Sequence, residues 1–192
     1  MCMDPKPKNP KENKVTVLGL GGSGGQILHH IAKQCDNYNL LYADSDEASL
    51  LESTIKTVKT YNNGQTDFVS IIKEIKDCEK LIITTGLGGE FGSFNSCIIY
   101  KMAKNENIPD VKLILTMPAS FEGKEQKERA NEVLELFKSE NADYELIEFD
   151  KLIDNLDRKI SINDCYKIMD EIMYKEIMRI ITNWVNLTVY YD

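Results

Sequence analysis

Two windows of glycine constrain this chain more than any other feature. Of its eleven glycines, nine lie in Gly19–Gly25 (GLGGSGG) and Gly86–Gly92 (GLGGEFG). Glycine gives up more backbone freedom on folding than other residues, so clustering on this scale needs a physical cause. Each window follows a short apolar run, Val15–Leu18 before the first and Leu81, Ile82 and Ile83 before the second. Such runs read as strands buried on both faces. A helical pattern follows each window. A strand, a glycine loop and a helix start together bring bare N–H groups and the positive end of a helix dipole close to a ligand, which suits phosphate. The two copies predict one nucleotide gripped by two loops.

The rest of the chain alternates in the same way. Predicted strands are Lys14–Leu20, Tyr38–Ala43, a short piece at Thr57–Tyr61, Lys80–Thr85, Val111–Thr116 and Tyr144–Phe149. Between them the spacing predicts helices that begin at Gly24–Cys35 and cover Glu47–Ile55, Asp67–Cys78, Gly92–Asn107 and Lys124–Glu140. Asp44, Ser45 and Asp46 can cap the second helix, and Asn62, Asn63 and Gly64 read as a turn. The pattern is that of an α/β, Rossmann-like, doubly wound parallel sheet of about six strands, with helices on both faces and ligand at the carboxyl ends of the strands. Ser161–Trp184 breaks the rhythm. Ile162, Cys165, Tyr166, Met169, Ile172, Met173, Ile177, Ile180, Ile181 and Trp184 form one long apolar stripe, and Ser161 with Asp164 resembles a capping box.

Charge and cysteine usage narrow the classes. A net charge of −8 over 192 residues argues against nucleic acid as the main partner. Five scattered cysteines without a C-x-x-C pair read as a reduced, cytoplasmic protein without a metal site. His29 and His30 are adjacent and point in different directions on a helix, a poor metal pair. No apolar run is long enough to span a bilayer, and no signal peptide is read. Met1–Asn13 is polar, holds Pro5, Pro7 and Pro10, and reads as a flexible tail.

Four ordered stretches resemble the FtsZ/tubulin family. VTVLGLGGSGGQ is similar to the first glycine loop of FtsZ, TTGLGGEFGS to the family's phosphate loop, MPASFEGKEQKERA to the stretch around P-x-x-FEG, and SINDCYKIMDEIM to the start of the long central helix. The resemblance covers about Lys14 to Leu187. It implies a nucleotide-binding domain over 14–160, a central helix over 161–184, and a short tail over 185–192 in place of the catalytic loop and second domain. It also implies a cytoplasmic protein of the cytoskeletal, cell-division type that binds GTP or GDP, with or without magnesium. Its partner would be another FtsZ/tubulin-like protomer or a complex subunit. Gly21, Gly22, Ser23, Gly24, Gly25 and Gln26 would serve the nucleotide from the first loop, and Gly88, Gly89, Gly92 and Ser93 from the second. Asp46 would lie near the phosphates or their magnesium, and Glu122 would hold the ribose. Tyr166 would stack on guanine, and Asp170 would accept from its N1 and N2 donors. The last pair also makes sense from spacing, because positions i and i+4 share a helix face.

The departures from the family pattern keep other readings open. Glu90 and Phe91 stand where FtsZ has Gly-Thr, and a carboxylate there repels phosphate unless magnesium or a turned-out rotamer relieves it. Gln126 replaces an Arg and Phe149 an Asn. Asn62–Gln65 is shorter than the family's γ-phosphate loop. Thr188 replaces an acid that acts on a neighbour's nucleotide, so the chain is at most a weak GTPase, with no catalytic residue assigned. Where the sequence ends in NLTVYYD, FtsZ continues, and the expectation is a protein that forms no long filaments by itself. A second reading is an FtsZ-fold interaction protein, a polymer cap or complex subunit, that has lost nucleotide. A third is an NAD-binding Rossmann oxidoreductase with Asp44 on the adenosine ribose.

Overall fold

The computed structural model describes residues 14–35, 38–59, 61–62, 65–154 and 160–189. The expected tail over 1–13, the turn at Asn63 and Gly64, and the last residues, 190–192, lie outside the described residues. In chain order the elements are β1 (Val15–Leu20), α1 (Gly21–Gln34), β2 (Asn39–Asp44), α2 (Glu47–Glu52), β3 (Lys56–Lys59), a small ladder of β4 (Tyr61–Asn62) and β5 (Gln65–Thr66), and α3 (Phe68–Ile75). There follow β6 (Lys80–Gly86), α4 (Glu90–Asn105), β7 (Asp110–Met117), a 3-10 turn (Ser120–Glu122), α5 (Lys124–Ser139), β8 (Tyr144–Glu148), α6 (Phe149–Asp154) and α7 (Ile162–Val189).

The main sheet has the order β3-β2-β1-β6-β7-β8, and every pairing in it is parallel. The chain first winds outward from β1 to β3, then returns to the other side of β1 through β6. The neighbours β1 and β6 therefore form the switch point, where loops leave in opposite directions and open a crevice. The two glycine windows follow β1 and β6, so the topology itself brings them together.

Alternation along the strands divides the interior into two cores. Leu18, Leu20, Leu41, Ala43, Leu81, Ile83, Leu113 and Leu115 face α3, α4 and α5. Val15, Val17, Tyr42, Ile82 and Ile114 face α1 and α7. Successive strand side chains point to opposite faces, and helices cover both, so strands that read as continuous apolar runs are fully buried. The helical periodicity is realised in the same way. Ile71, Ile72 and Ile75 of α3 and Ala130, Val133, Leu134 and Phe137 of α5 are buried. From α7, Cys165, Met169, Met173, Ile177, Ile180 and Ile181 enter the second core. Ser161 does cap α7, accepting from the Asp164 N–H at 3.2 Å.

Several boundaries differ from the sequence expectation for local reasons. Helix α1 starts at Gly21 rather than Gly24, so the first glycine window forms the opening turn of the helix. A Cβ on Gly24 would meet the carbonyl oxygen of Thr84 at 2.8 Å, and one on Gly19 would meet the Gly24 oxygen at 2.5 Å. Much of the glycine clustering thus lets α1 approach the sheet. Asp46 caps α2, accepting from the Ala48 N–H at 3.1 Å, but the helix stops at Glu52 because Ser53 turns the chain into β3. Phe149 opens the short helix α6 instead of closing the last strand. Ile162 and Tyr166 belong to the predicted apolar stripe of α7 yet are 55% and 38% exposed. Cys165 between them is buried, so at the start of α7 only a narrower part of the stripe faces the core.

The adjacent histidines tie α1 to different neighbours. His29 Nδ1 lies 2.7 Å from the Gly25 carbonyl, and its Nε2 3.3 Å from Ser53 Oγ. His30 Nε2 lies 3.1 Å from Glu171 on α7.

Candidate functional site

At the carboxyl ends of the central strands lies a cleft of about 370 Å³, a size suited to a small organic ligand. It has a glycine end and a ring end. Gly21, Gly22, Ser23, Asp44, Ser45, Thr85, Gly86, Leu87, Gly89, Glu90, Phe91 and Gly92 line the first. Thr116, Met117, Pro118, Glu122, Phe149, Tyr166, Met169, Asp170 and Met173 line the second, and Gln26 also reaches the cleft.

At the glycine end the two windows are bonded to each other. Ser23 Oγ accepts from the Gly86 N–H at 2.7 Å, and Thr85 Oγ1 donates to the Leu20 carbonyl at 2.9 Å. Gly88 has φ +94, a conformation that side chains disfavour, and a Cβ there would come within 2.8 Å of the Gln126 carbonyl. Its N–H donates to the buried Ser93 Oγ at 2.8 Å, and its carbonyl accepts from Arg129 Nη1 at 2.7 Å. These bonds fix the loop between β6 and α4. Gly89 is the N-cap of α4 and supplies no side-chain cap, so the first N–H groups of that helix open toward the cleft. Glu90 is the first helical residue, exposed at the cleft wall, while Phe91 packs against the first core.

The ring end is assembled from distant segments. Phe149 is 2% exposed. Its ring lies 4.9 Å from that of Tyr166 and 5.9 Å from that of Phe121. The Tyr166 hydroxyl donates to Glu122 Oε1 at 3.4 Å, and the Ala119 N–H donates to the same oxygen at 3.0 Å. Asp150 anchors this loop by accepting from the Ser120 N–H at 2.7 Å, the Ser120 hydroxyl at 2.6 Å and Lys127 Nζ at 2.9 Å. The Ser120 hydrogen bonds, helped by Lys127, hold the Asp150 carboxyl down at about 2.

Asp170 stands one helical turn from Tyr166. It is half-buried, and burial raises its pKa while the His30 ring opposes the rise. Among the described residues no hydrogen bond ends on its carboxylate. Gln26 and Asp170 also share a recess with Tyr166, Asn163 and Lys167. An amide, a carboxylate and an aromatic ring therefore converge on one corner of the cleft.

The structure brings Gly21, Gly22, Ser23, Gln26, Gly89, Gly92, Glu122, Tyr166 and Asp170 to the cleft. Five other residues marked in the sequence stand outside its lining. Gly24 packs against Gly19 and Thr84, and Gly25 against the Tyr42 ring. Gly88 and Ser93 bond to each other behind the loop. Asp46 is engaged at the start of α2, where its carboxylate accepts from Ser49 Oγ at 2.6 Å. Asp44 lines the cleft where Asp46 does not. Its carboxylate accepts from the Tyr42 hydroxyl at 2.8 Å and the Ser45 N–H at 2.7 Å. Sequence reasoning named Asp44 only as a helix cap and in the NAD-binding alternative, and it missed Thr116, Met117, Pro118, Met169 and Met173 as cleft residues. Met117 ends β7 and Thr116 precedes it, so the rule that ligands sit at the carboxyl ends of strands could have found both.

Comparison with known proteins follows the same lines. No family model matches the chain. It is 28% identical over 184 residues to the cell division protein FtsZ of Aquifex aeolicus, an alignment that covers 85% of this chain and 50% of that protein. The chain spans about half the length of the curated relatives it matches. Among solved structures it is similar to an FtsZ dimer of M. jannaschii, with a TM-score of 0.75 and 21% identity over 86% of this chain and 53% of that one. It is also similar to CetZ2 of Haloferax volcanii, solved as a GTPγS-bound protofilament, with a TM-score of 0.67 and 17% identity over 85% of this chain and 56% of that one.

Proposed function

We propose that this chain, which is FtsZ/tubulin-like in fold and sequence, binds a guanine nucleotide in the cleft and acts through protein–protein assembly. The observation that carries the reading is the corner where Gln26, Tyr166 and Asp170 meet. Guanine presents one acceptor and two donors on its pairing edge. A carboxylate answers the donors with charge-assisted bonds, an amide N–H answers the acceptor, and the tyrosine ring offers a face for stacking. Glu122, with both of its bonds on Oε1, has Oε2 for a ribose hydroxyl. The uncapped start of α4 and the glycines between β1 and α1 suit the phosphates. Magnesium carried by those phosphates fits the oxygen donors Asp44 and Glu90, since this ion usually binds through one or two carboxylates plus phosphate. The GTPγS in the CetZ2 protofilament supports both the ligand and the assembly.

Turnover is expected to be slow, because Thr188 stands where the resemblance implies an acid, and a hydroxyl positions water less well than a carboxylate. One set of residues favours a second reading, an FtsZ-fold interaction protein without nucleotide. Glu90 and Phe91 sit at the phosphate loop, and Phe149 contacts the Tyr166 ring from within the fold. The test is the nucleotide content of purified protein, released by heat and separated by chromatography after loading and desalting. Stoichiometric GDP or GTP supports the first reading. No retained nucleotide and no binding on titration supports the second.

A further inference from the structure

The charges that line the cleft are one-sided. Among its described lining residues are four carboxylates, Asp44, Glu90, Glu122 and Asp170, and no lysine, arginine or histidine; Lys167 borders only the recess beside the ring end, where it pairs with Asp164 at 2.9 Å. Glu122 and Asp170 belong to the ring end, where neutral base and ribose hydroxyls would lie. Asp44 and Glu90 belong to the glycine end. Arg129 does reach the second loop, but from α5, where it donates to the Gly88 carbonyl and stands outside the lining.

Glu90 acts twice on an incoming anion. As the first residue of α4 it carries a negative charge on the helix end whose partial positive charge would otherwise attract phosphate. It also lines the glycine end of the cleft, so the charge of an anion bound there is opposed at short range. Phe91, the next residue, is partly buried against the first core, which places the start of α4 at the cleft wall. Among the described residues no ion pair or hydrogen bond holds the Glu90 carboxylate.

We propose that Glu90 makes this cleft select by phosphate number, taking guanosine diphosphate in preference to the triphosphate when no divalent cation screens the charge. The proposal rests on the guanine-nucleotide reading above. The terminal phosphate adds charge that no cationic side chain of the described lining balances. A like-charge contact in a half-hydrated cleft corresponds to about a tenfold change in affinity. The preference is electrostatic, so it shrinks as salt rises, and magnesium narrows it by neutralising the triphosphate.

The experiment is calorimetric titration of the wild type and Glu90→Gln with GDP and GTP, in EDTA and then in magnesium, at two salt concentrations. The expected result in EDTA is GDP binding about tenfold or more tighter than GTP. Glu90→Gln should tighten GTP more than GDP and close most of the gap. Glu90→Gln keeps the side-chain size, and its GDP affinity reports whether the loop is intact. Equal wild-type affinities in EDTA, or a variant that moves both nucleotides by the same factor or weakens GTP, would overturn the proposal. Binding of neither nucleotide to either protein would remove the guanine-nucleotide reading itself, and the selection with it.

Discussion

The glycine end of the cleft is built from a few short runs of sequence neighbours, and the ring end from single residues of separate elements. Gly19–Gly25 and Gly86–Gly92 each run from a strand end into a helix start, and the groups they offer are mainly backbone N–H groups. The ring end joins Gln26 of α1, Glu122 of the 3-10 turn, Phe149 of α6, and Tyr166 and Asp170 of α7. Backbone recognition is generic, because any phosphate satisfies an N–H. Side-chain recognition from several elements is specific, but it depends on the packing that holds those elements together. The first end should therefore respond to charge and local backbone geometry, and the second to core packing.

The largest expected effect breaks the packing of the ring end. Phe149→Ala removes a buried ring that touches both Phe121 and Tyr166. It should cost about 3–5 kcal/mol of stability, the usual range for a buried phenylalanine truncated to alanine. Urea unfolding checks this, and a loss under about 1 kcal/mol would mean that the rings rest on the surface rather than in the core.

Next comes the base contact. Asp170→Ala should weaken GDP and GTP by about 1.5–3 kcal/mol, the scale of a hydrogen bond to a charged group, and leave ADP unchanged. Competition titration with both purines measures the difference. Equal losses for guanine and adenine nucleotides would take Asp170 out of base recognition.

At the glycine end, Gly24→Ala should act on stability first. The new methyl would press on the Thr84 and Gly19 backbone, which cannot rotate out of the way. The expected cost is about 1–3 kcal/mol, as for other overpacked sites. A variant of wild-type stability that loses nucleotide affinity would instead put Gly24 in contact with the ligand.

The smallest effect concerns the latch under Glu122. Asp150 has a folded pKa of about 2 against an ordinary 3.8, so its bonds to Ser120 and Lys127 stabilise the fold above pH 3.8. That contribution is lost as pH falls from 3.8 through 2, where the carboxylate protonates in the folded state too. Its side chain is 36% exposed, so solvent screening keeps the total below about 1 kcal/mol. Asp150→Asn should lower the urea midpoint at pH 6 and converge on the wild type near pH 2. A gap that stays constant with pH would show that shape rather than charge matters there.

The same contrast explains what could be read from the sequence. The six parallel strands, the helix faces of α3 and α5 and both glycine windows follow from local pattern, and the structure has them. The i, i+4 pair Tyr166 and Asp170 was legible through the family resemblance, and helix geometry agrees with it because both lie on one face. Their exposure was not, because the apolar stripe of α7 continues through Ile162 and Tyr166 and says nothing about where the sheet beneath begins. Gly24 and Gly25 looked like ligand contacts because a glycine motif cannot distinguish a backbone that approaches phosphate from one that approaches another strand. Asp44 and Asp46 are two residues apart at a strand end. Local contacts sort them, Tyr42 two residues before Asp44 and Ser49 three residues after Asp46, but the pattern of side chains in the sequence does not show which acid takes which partner. Phe149 was visible as a departure from a resembled motif, but its ring contacts depend on α6, a helix that no periodicity announced.

The central claim is that both ends of one cleft hold one guanine nucleotide. Backbone and side-chain amide NMR of labelled protein, titrated with GDP and separately with ADP, tests it most directly. The account predicts GDP-induced shifts at the amides of Gly21, Gly22, Gly86, Gly89 and Gly92 and at the Gln26 side-chain NH₂, all with one affinity. ADP should reproduce only the glycine shifts, and at higher concentration. Shifts at the glycines with Gln26 unmoved by GDP, shifts confined to another surface, or an unchanged spectrum at millimolar GDP would contradict it.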